Sequence, residues 1–137
     1  MSAEENKQVA RRFITAFLAG DTAVLQELIG EDCVDHNPQP GQKPGRQGLI
    51  EILAGWRAAF PDLDATILHE VAEGEFVVQH GVGLGTNTGP LMGQPATGKQ
   101  AQFAYMDMHR IVNGRIIEIW HLEDIAGMLY QLGLMPA

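Results

Sequence analysis

Proton-handling side chains crowd the end of the last predicted strand. Residues 118–124 have the sequence EIWHLED, in which two carboxylates, an indole and an imidazole precede a third carboxylate, Asp124. A strand so close to the end of a small domain usually has an apolar buried side. Carboxylate, imidazole and phenol groups are the ones that move protons in general acid–base catalysis. The stretch therefore predicts a site for proton chemistry.

A tight hairpin predicts which of these groups share one face of a sheet. Asn113-Gly114 lies between two apolar runs and is typical of a two-residue type I′ turn, which fixes the register of its strands. Counting outward from Val112 opposite Arg115 assigns alternate residues to the same face. The predicted pairs on this face are His109–Glu118, Asp107–Trp120, Tyr105–Leu122 and Phe103–Asp124.

The opposite face of the same hairpin is predicted to be mainly aliphatic and thioether. Its predicted members are Met106, Met108, Arg110, Ile117, Ile119 and His121. A core needs only one apolar sheet face, so the second face indicates a pocket or a partner. We expect a homodimer through the Met/Ile face, because these side chains would otherwise be exposed.

Asp124 and His109 are the candidate catalytic residues, and each has a simpler alternative. Asp124 is predicted to lie among aromatic rings, where a carboxyl group would act as general acid/base. It also begins DIAGMLYQLG, so it would serve equally well as the N-cap of a last helix. His109 opposite Glu118 would form an ordinary cross-strand ion pair. Asp107 beside an indole is harder to explain structurally, because a buried carboxylate needs a partner.

The remaining histidines have weaker assignments. His80 alternates with apolar residues, which favours a buried core histidine and leaves pocket lining as the alternative. His36, in the stretch VDHNP, would either bond locally or reach over the mouth of a pocket. His69 and His121 are assigned no catalytic role.

Aromatic residues complete the candidate site. Trp56 and Phe60 are most simply core residues, although core rings that border a pocket also stack on flat ligands. The candidate substrate-binding residues are His36, His80, Phe103, Tyr105, Asp107, Glu118, Trp120, Trp56 and Phe60.

Helices precede the strands that carry the chemistry. Residues 3–19 have apolar positions at helical spacing, Asp21 would cap a second helix, TAVLQELIG, and a third extends from about Gln47 to Ala59. The predicted strands are ATILHEVAEG, EFVVQHGVGLG, KQAQFAYMDMHRIV and GRIIEIWHLE, and DIAGMLYQLG is a last helix. This order predicts an α+β domain, a cone-shaped curved antiparallel sheet wrapped around the N-terminal helices with a pocket between them.

Composition narrows the function classes. The 137 residues are predicted to form one domain, residues 1–137. The net charge is −8 and the nine basic residues are scattered, which disfavours a nucleic-acid partner. No apolar run reaches the roughly 20 residues of a membrane span. The single cysteine, Cys33, favours a cytoplasmic protein, and the histidine spacing predicts no metal site.

Seven stretches occur in an order that resembles the SnoaL-like polyketide cyclase family over about Lys7 to Leu134. They are DH at 35–36, PGRQGLIEIL, FPDL at 60–63, GTNTG at 85–89, MGQPATGKQ at 92–100, HRIVNGRIIEIW and DIAGMLYQLG. The resemblance implies the nuclear-transport-factor-2-like fold, an α+β cone. Two positions depart from the family pattern: Asn87 replaces a histidine, and His80 stands at a common tryptophan position.

The resemblance also implies an activity. Family enzymes close a ring of an aromatic polyketide methyl ester by intramolecular aldol condensation without a cofactor. An Asp near the end of the last strand acts as acid/base in the family, and Asp124 matches that position. A His on the preceding strand helps to polarise the carbonyl, and His109 is the nearest match. The resemblance therefore implies a small apolar aromatic substrate and no metal or cofactor.

Two other functions stay open on the sequence. One is a related cofactor-free hydroxylase, or a hydrolase like limonene epoxide hydrolase, which would consume oxygen or water. The other is a nonenzymatic dimer that binds a small molecule and forms no product.

Overall fold

The computed structural model describes residues 1–135, which form four helices and one five-stranded sheet. The elements are α1 (Ala3–Ala19), α2 (Thr22–Leu28), β1 (Ile29–Asp35), α3 (Gly45–Ala59), β2 (Asp64–Glu73), β3 (Phe76–Thr86), β4 (Gln100–Val112), β5 (Arg115–Glu123) and α4 (Ile125–Leu132). The predicted α+β architecture, with a curved, unclosed sheet against N-terminal helices, is confirmed. No helix within residues 1–135 is long and apolar enough to cross a membrane.

Local sequence signals set the ends of the first helices. The Ser2 hydroxyl accepts a hydrogen bond from the Glu5 amide at 3.1 Å, and the Glu5 carboxylate accepts one from the Ser2 amide, which makes a capping box. Gly20 ends α1 in the left-handed conformation with φ of 69°. The Asp21 carboxylate then caps α2 through the Val24 amide, as the sequence predicted.

The sheet has the strand order β1-β5-β4-β3-β2. The last four strands in the chain form an antiparallel meander, whereas β1 pairs with β5 in parallel. This parallel pairing brings Asp35, at the end of β1, beside the second half of β5. The segment around Cys33 is therefore an integral edge strand of the sheet.

A β-bulge at Ile117 changes the register of the β4–β5 hairpin. The type I′ turn is present, with φ of 50° at Asn113 and 78° at Gly114, and Val112 faces Arg115. Beyond Ile116 one extra residue is inserted, so that Arg110 rather than His109 pairs with Glu118. Three predicted pairs, His109–Glu118, Asp107–Trp120 and Tyr105–Leu122, are wrong by one residue, and the ladder ends before the fourth, Phe103–Asp124. The observed pairs are His109–Ile119, Asp107–His121 and Tyr105–Glu123.

The bulge also corrects the predicted faces of β5. Ile116 and Ile119 are both buried in the core, with exposures of 0 % and 3 %. Glu118 and Trp120 consequently lie on the outer face, and His121 lies on the inner face. Keeping Glu118 out of the core avoids burying a carboxylate among aliphatic side chains, which is costly without a partner.

Glycines on the inner face of β3 make room for aromatic rings from its neighbours. A Cβ at Gly81 would lie 2.5 Å from Tyr105 Oη, and a Cβ at Gly83 would lie 2.7 Å from Phe103 Cζ. Both distances are far below van der Waals contact, so these rings pack directly on the main chain of β3. The glycines of GVGLG thus position the aromatic side chains of β4.

We expect Gly83→Ala to lower the free energy of unfolding by about 1–3 kcal/mol, the usual cost of overpacking a filled core. Gly55→Ala is the matched control, because a Cβ at Gly55 on α3 would meet nothing within 4 Å. Alanine favours a helix, so the control should be neutral or stabilising by up to about 1 kcal/mol. Urea unfolding followed by circular dichroism measures both, and equal stability of the two variants would contradict the packing described for β3.

Candidate active site

A cavity of about 100 Å³ lies between the N-terminal helices and the inner face of the sheet. Its walls are mostly apolar side chains from α1, α3 and β4. The lining residues are Phe13, Ile14, Phe17, Leu49, Ile52, Leu53, Trp56, Leu63, Ala65, Gly83, Phe103, Tyr105, Asp107, His109, Ile119, His121 and Glu123. The polar members all come from β4 and β5, so proton chemistry is confined to the sheet side.

His121 is held between two carboxylates. Its Nδ1 lies 2.7 Å from Glu123 Oε1 and its Nε2 lies 2.9 Å from Asp35 Oδ1. Burial on its own would lower the pKa of His121, but the two hydrogen bonds and the two negative charges outweigh it and raise the pKa to about 10. His121 is therefore an imidazolium at neutral pH, and both of its N–H groups donate to carboxylates.

Asp35 is fixed by the loop that follows β1. Its carboxylate accepts hydrogen bonds from Gln42 Nε2 and the Asn37 amide, both at 2.9 Å, in addition to the one from His121. Burial favours the neutral acid, but these hydrogen bonds outweigh it and hold the pKa of Asp35 below its ordinary value. Asn37 Oδ1 also accepts from the His121 amide at 2.8 Å, so the loop clamps both partners.

Asp107 is the carboxyl group whose environment most favours acid/base chemistry. It lies directly opposite His121 on β4, and its Oδ1 is buried and has no hydrogen-bond partner in the described part of the chain. Burial and then the negative charge of Glu123 raise the pKa of Asp107 to about 7, although the His121 charge opposes them. A carboxyl group with a pKa near neutrality can both take and return a proton.

Two further polar groups on β4 flank Asp107 without partners. Tyr105 Oη and both ring nitrogens of His109 are buried and make no hydrogen bond within residues 1–135. Burial, followed by the charge of His121, lowers the pKa of His109 to about 4, so its ring is neutral at pH 7. Burial, and to a lesser extent Asp107, raises the pKa of Tyr105 to about 12. A neutral imidazole and a phenol are hydrogen-bond donors suited to an oxygen that gains negative charge.

Five of the predicted site residues line the cavity: Trp56, Phe103, Tyr105, Asp107 and His109. Phe60 is fully buried behind them, with its ring 6.3 Å from that of Trp56 and 6.4 Å from that of Phe103. The predicted ion pair between His109 and Glu118 is not formed, because His109 faces Ile119 and packs against Phe13 at a ring distance of 5.3 Å.

Four other predicted site residues lie on the outer face of the sheet. The His36 ring stacks on Trp120 at 4.3 Å, and His36 Nε2 lies 3.9 Å from Glu118 Oε2. His80 Nδ1 lies 3.0 Å from His69 Nδ1 on the neighbouring strand β2. The structure does not bring these four to the cavity, since the bulge turns Glu118 and Trp120 outward and the strand alternation of β3 turns His80 outward.

Asp124 lies outside the cavity lining, at an exposed position between β5 and α4. Its Oδ1 accepts a hydrogen bond from the Gly127 amide at 2.9 Å, so the N-cap alternative is confirmed. The catalytic role of Asp124 stays a prediction, and the geometry favours Asp107 for that role.

His121, Glu123 and the contribution of Asp35 were missed by sequence reasoning. His121 and Glu123 are two residues apart in EIWHLED and thus share a face, which is a usable signal. Strict alternation counted from the turn predicted His121 and Glu123 on the outer face of the sheet, because it did not include the bulge at Ile117. No group of three or more His, Cys, Asp or Glu side chains within residues 1–135 is arranged to hold a metal ion.

The model of one protein family, described as SnoaL-like polyketide cyclase, matches residues 7–132. The chain belongs to the SnoaL-like polyketide cyclase family. Its fold is nuclear-transport-factor-2-like, as the resemblance implied. No curated protein matches the chain significantly.

Solved structures of similar chains cover almost the whole of this SnoaL-like protein. IdmH from Streptomyces antibioticus, described as a candidate polyketide cyclase, is 33 % identical, with a TM-score of 0.83 over 93 % of this chain and 98 % of its own. TsrD from Streptomyces laurentii is 25 % identical, with a TM-score of 0.89 over 98 % and 99 %. AclR from Streptomyces galilaeus, a candidate hydroxylase, shares the fold at 23 % identity, with a TM-score of 0.85 over 98 % and 100 %.

One departure from the SnoaL-like pattern has a structural explanation. Asn87 is fully buried and is not among the cavity residues. Its side chain accepts from the Thr97 amide at 2.9 Å and donates to the carbonyl oxygens of Ala59 and Gly89 at 3.2 and 2.8 Å. Asn87 thus anchors the loop between β3 and β4.

We expect nitrogen NMR of the imidazole rings to show His121 charged up to a titration midpoint of about pH 10, and His109 neutral down to about pH 4. Asp35→Asn removes one of the two carboxylate partners, so it should lower the midpoint of His121. A His121 midpoint near the ordinary value of about 6.5 would contradict the clamp.

The raised pKa of His121 also makes the free energy of unfolding depend on pH in a definite direction. Because the folded pKa lies above the unfolded one, His121 contributes its full stabilisation below about pH 6.5 and loses it as the pH rises toward about 10. The difference in unfolding free energy between the wild type and His121→Gln should therefore shrink over that range, which urea titrations at several pH values measure. A difference that is constant with pH would contradict the assignment.

Proposed function

We propose that the protein is a cofactor-independent, polyketide-cyclase-like enzyme that closes a ring by acid/base-catalysed intramolecular aldol chemistry. The observation that carries the proposal is the Asp107 carboxyl group, which lines an apolar cavity, has one buried oxygen with no hydrogen-bond partner in the described residues, and has its pKa raised to about 7 by burial. Membership of the SnoaL-like family and the 33 % identity with IdmH support the proposed reaction class.

In the proposed mechanism the Asp107 carboxylate removes a proton from a carbon next to a substrate carbonyl. Tyr105 and neutral His109 donate hydrogen bonds to the enolate oxygen that results. The enolate carbon then attacks a second carbonyl of the same molecule, which forms the carbon–carbon bond and an alkoxide. Neutral Asp107 returns its proton to that alkoxide, so the enzyme ends in its starting form.

The proposed role of His121 is electrostatic. Its charge lies opposite Asp107 and favours the carboxylate form that begins the reaction. Since both of its N–H groups are already bound to Asp35 and Glu123, His121 has no hydrogen to transfer to a substrate without breaking the clamp. We therefore assign proton transfer to Asp107 alone.

The proposed substrate is a flat, apolar molecule with enolisable carbonyl groups. Trp56 and Phe103, whose rings are 6.4 Å apart, and Phe13 and Phe17 from α1 provide the apolar walls. The cavity of about 100 Å³ is smaller than the roughly 300–1,000 Å³ of drug-sized sites, so an aromatic polyketide can enter only when the cavity walls move apart.

We expect Asp107→Asn to reduce kcat/KM by about 10²–10⁴-fold, the usual worth of a general acid/base. Asp124→Asn is the matched control, because asparagine caps a helix nearly as well as aspartate, and its loss should stay within about tenfold. The assay is the cyclisation of an aromatic polyketide methyl ester, followed by chromatography and mass spectrometry. The reverse ranking of the two variants would return the catalytic role to Asp124.

The same assay separates the enzymatic alternatives. An oxygen electrode reports consumption of oxygen by a hydroxylase, and the product mass reports addition of water by a hydrolase. Tight binding without any product would indicate the nonenzymatic alternative. A cyclised product of unchanged elemental composition, or one that has lost only water, supports the proposed cyclase.

We further propose that the protein is a homodimer through the outer face of the sheet. Apolar side chains there are exposed, with Leu122 at 69 % and Met106 at 52 %. Ile119, which was predicted to belong to this face, is instead 3 % exposed in the core, so it does not contribute.

We expect sedimentation at micromolar concentration to show a wild-type dimer and a Met106→Lys/Leu122→Lys monomer, because two added charges would be buried without partners at the interface. Tyr130→Lys on α4 is the control, since Tyr130 is 77 % exposed outside that face. A wild-type monomer would refute the proposed dimer.

A further inference from the structure

A row of polar side chains crosses the apolar inner face of the sheet. Glu70 on β2 pairs in register with Gln79 on β3, Gln79 pairs with Asp107 on β4, and Asp107 pairs with His121 on β5. Asp35 on β1 completes the row through its 2.9 Å hydrogen bond to His121. The proposed mechanism uses Asp107, His121 and Asp35, which lie on β4, β5 and β1. It gives no role to Glu70 or Gln79.

Gln79 is fully buried, and its amide orientation is fixed by Glu70. The amide NH₂ group donates to Glu70 Oε2 at 2.8 Å, and Arg11 Nε donates to Glu70 Oε1 at 2.9 Å. Burial would raise the pKa of Glu70, but the hydrogen bonds from Arg11 and then Gln79 outweigh it and hold the pKa below its ordinary value. An ionised Glu70 only accepts hydrogen bonds, so it must face the NH₂ side of the amide.

The carbonyl side of the same amide is left with no partner. Gln79 Oε1 is buried without a hydrogen bond in the described residues, and so is Asp107 Oδ1 on the neighbouring strand. Directly opposite residues on antiparallel strands have Cβ atoms about 4.5–5.5 Å apart, which is within reach of a hydrogen bond between their side chains. Two acceptor oxygens on directly opposite residues can be satisfied together by a proton shared between them.

We propose that Gln79 is a positioning residue for the acid/base Asp107, whose neutral carboxyl group donates its proton to Gln79 Oε1. Glu70 and Arg11 hold the amide so that its carbonyl, rather than its NH₂ group, faces Asp107. This inference rests on the proposed function for its catalytic meaning, although the hydrogen bond itself can be measured without a substrate.

Two opposing influences then act on Asp107 from its two neighbouring strands. Gln79 on β3 stabilises the neutral acid, whereas the His121 charge on β5 stabilises the carboxylate. The other titratable groups around Asp107 are Tyr105 and His109 on β4, Glu123 on β5, Asp35 on β1 and Glu70 on β2, while α1 and α3 present apolar side chains to the cavity. The row thus balances the two protonation states that the reaction requires.

The test is the titration midpoint of the Asp107 carboxyl carbon by NMR, assigned with Asp107→Asn. Gln79→Met keeps the shape of the side chain but removes the acceptor, so the midpoint should fall by about one pH unit, the worth of one hydrogen bond. Asn6→Leu is the matched control, because Asn6 is a second buried amide with an unpartnered oxygen, and it bonds to Gly74 O at 3.3 Å instead. An unchanged or raised midpoint in Gln79→Met would overturn the proposal.

Glu70→Gln provides a second variant if Gln79→Met does not fold. Without the charged acceptor at position 70, the Gln79 amide can turn and donate to the Asp107 carboxylate, so the midpoint of Asp107 should again fall. An unchanged midpoint would contradict the proposed orientation of Gln79 by Glu70. The acid limb of the pH profile of kcat/KM should move with the NMR midpoint in both variants. Full activity of Asp107→Asn would instead contradict the proposed function. The hydrogen bond between Asp107 and Gln79, measured by the NMR midpoints of the wild type and Gln79→Met, would still stand.

Discussion

The inserted residue at Ile117 determines which side chains of β5 face the cavity. Because of it, Ile116 and Ile119 both enter the core although they are three residues apart. Gly30 on the neighbouring strand lies against the bulge, where a Cβ would make ordinary van der Waals contacts, 3.4 Å from Ile116 O and 3.5 Å from Ile117 Cγ2. The β1–β5 ladder shifts its register in the same place. Everything beyond this point, including His121, takes its orientation from the bulge.

The electrostatics of the site follow from that orientation. Three carboxyl groups, Asp35, Glu123 and Asp107, share a buried region with a single cation, His121. The cation is bound by two of them through hydrogen bonds of 2.7 and 2.9 Å. For the third, Asp107, burial and the nearby negative charge outweigh the attraction of the His121 cation, so its pKa rises to near neutrality. A reactive group is thus produced first by burial and then by an excess of negative charge around Asp107.

Most of the fold and about half of the site could be predicted from the sequence, and the division has physical causes. Helix caps such as Asp21 and the turn at Asn113-Gly114 are local, so short-range rules located them correctly. The bulge depends on which of Ile116, Ile117 and Glu118 the core accepts, and the β1–β5 pairing brings together residues far apart in the chain. The sequence IIEI does hint at the answer, because strict alternation from Ile116 would have buried Glu118.

The glycines of β3 let aromatic side chains on one wall of the cavity rest directly on the main chain. Side chains that line a pocket can change rotamer when a ligand enters, but a peptide backbone in the middle of a sheet cannot retreat. Tyr105 and Phe103 lie against this fixed surface, so a ligand must be accommodated by displacement of α1 or α3 on the opposite wall. Adaptation of such a site to larger molecules during evolution would therefore proceed through the helices, while the sheet keeps the proton-transfer groups in constant positions.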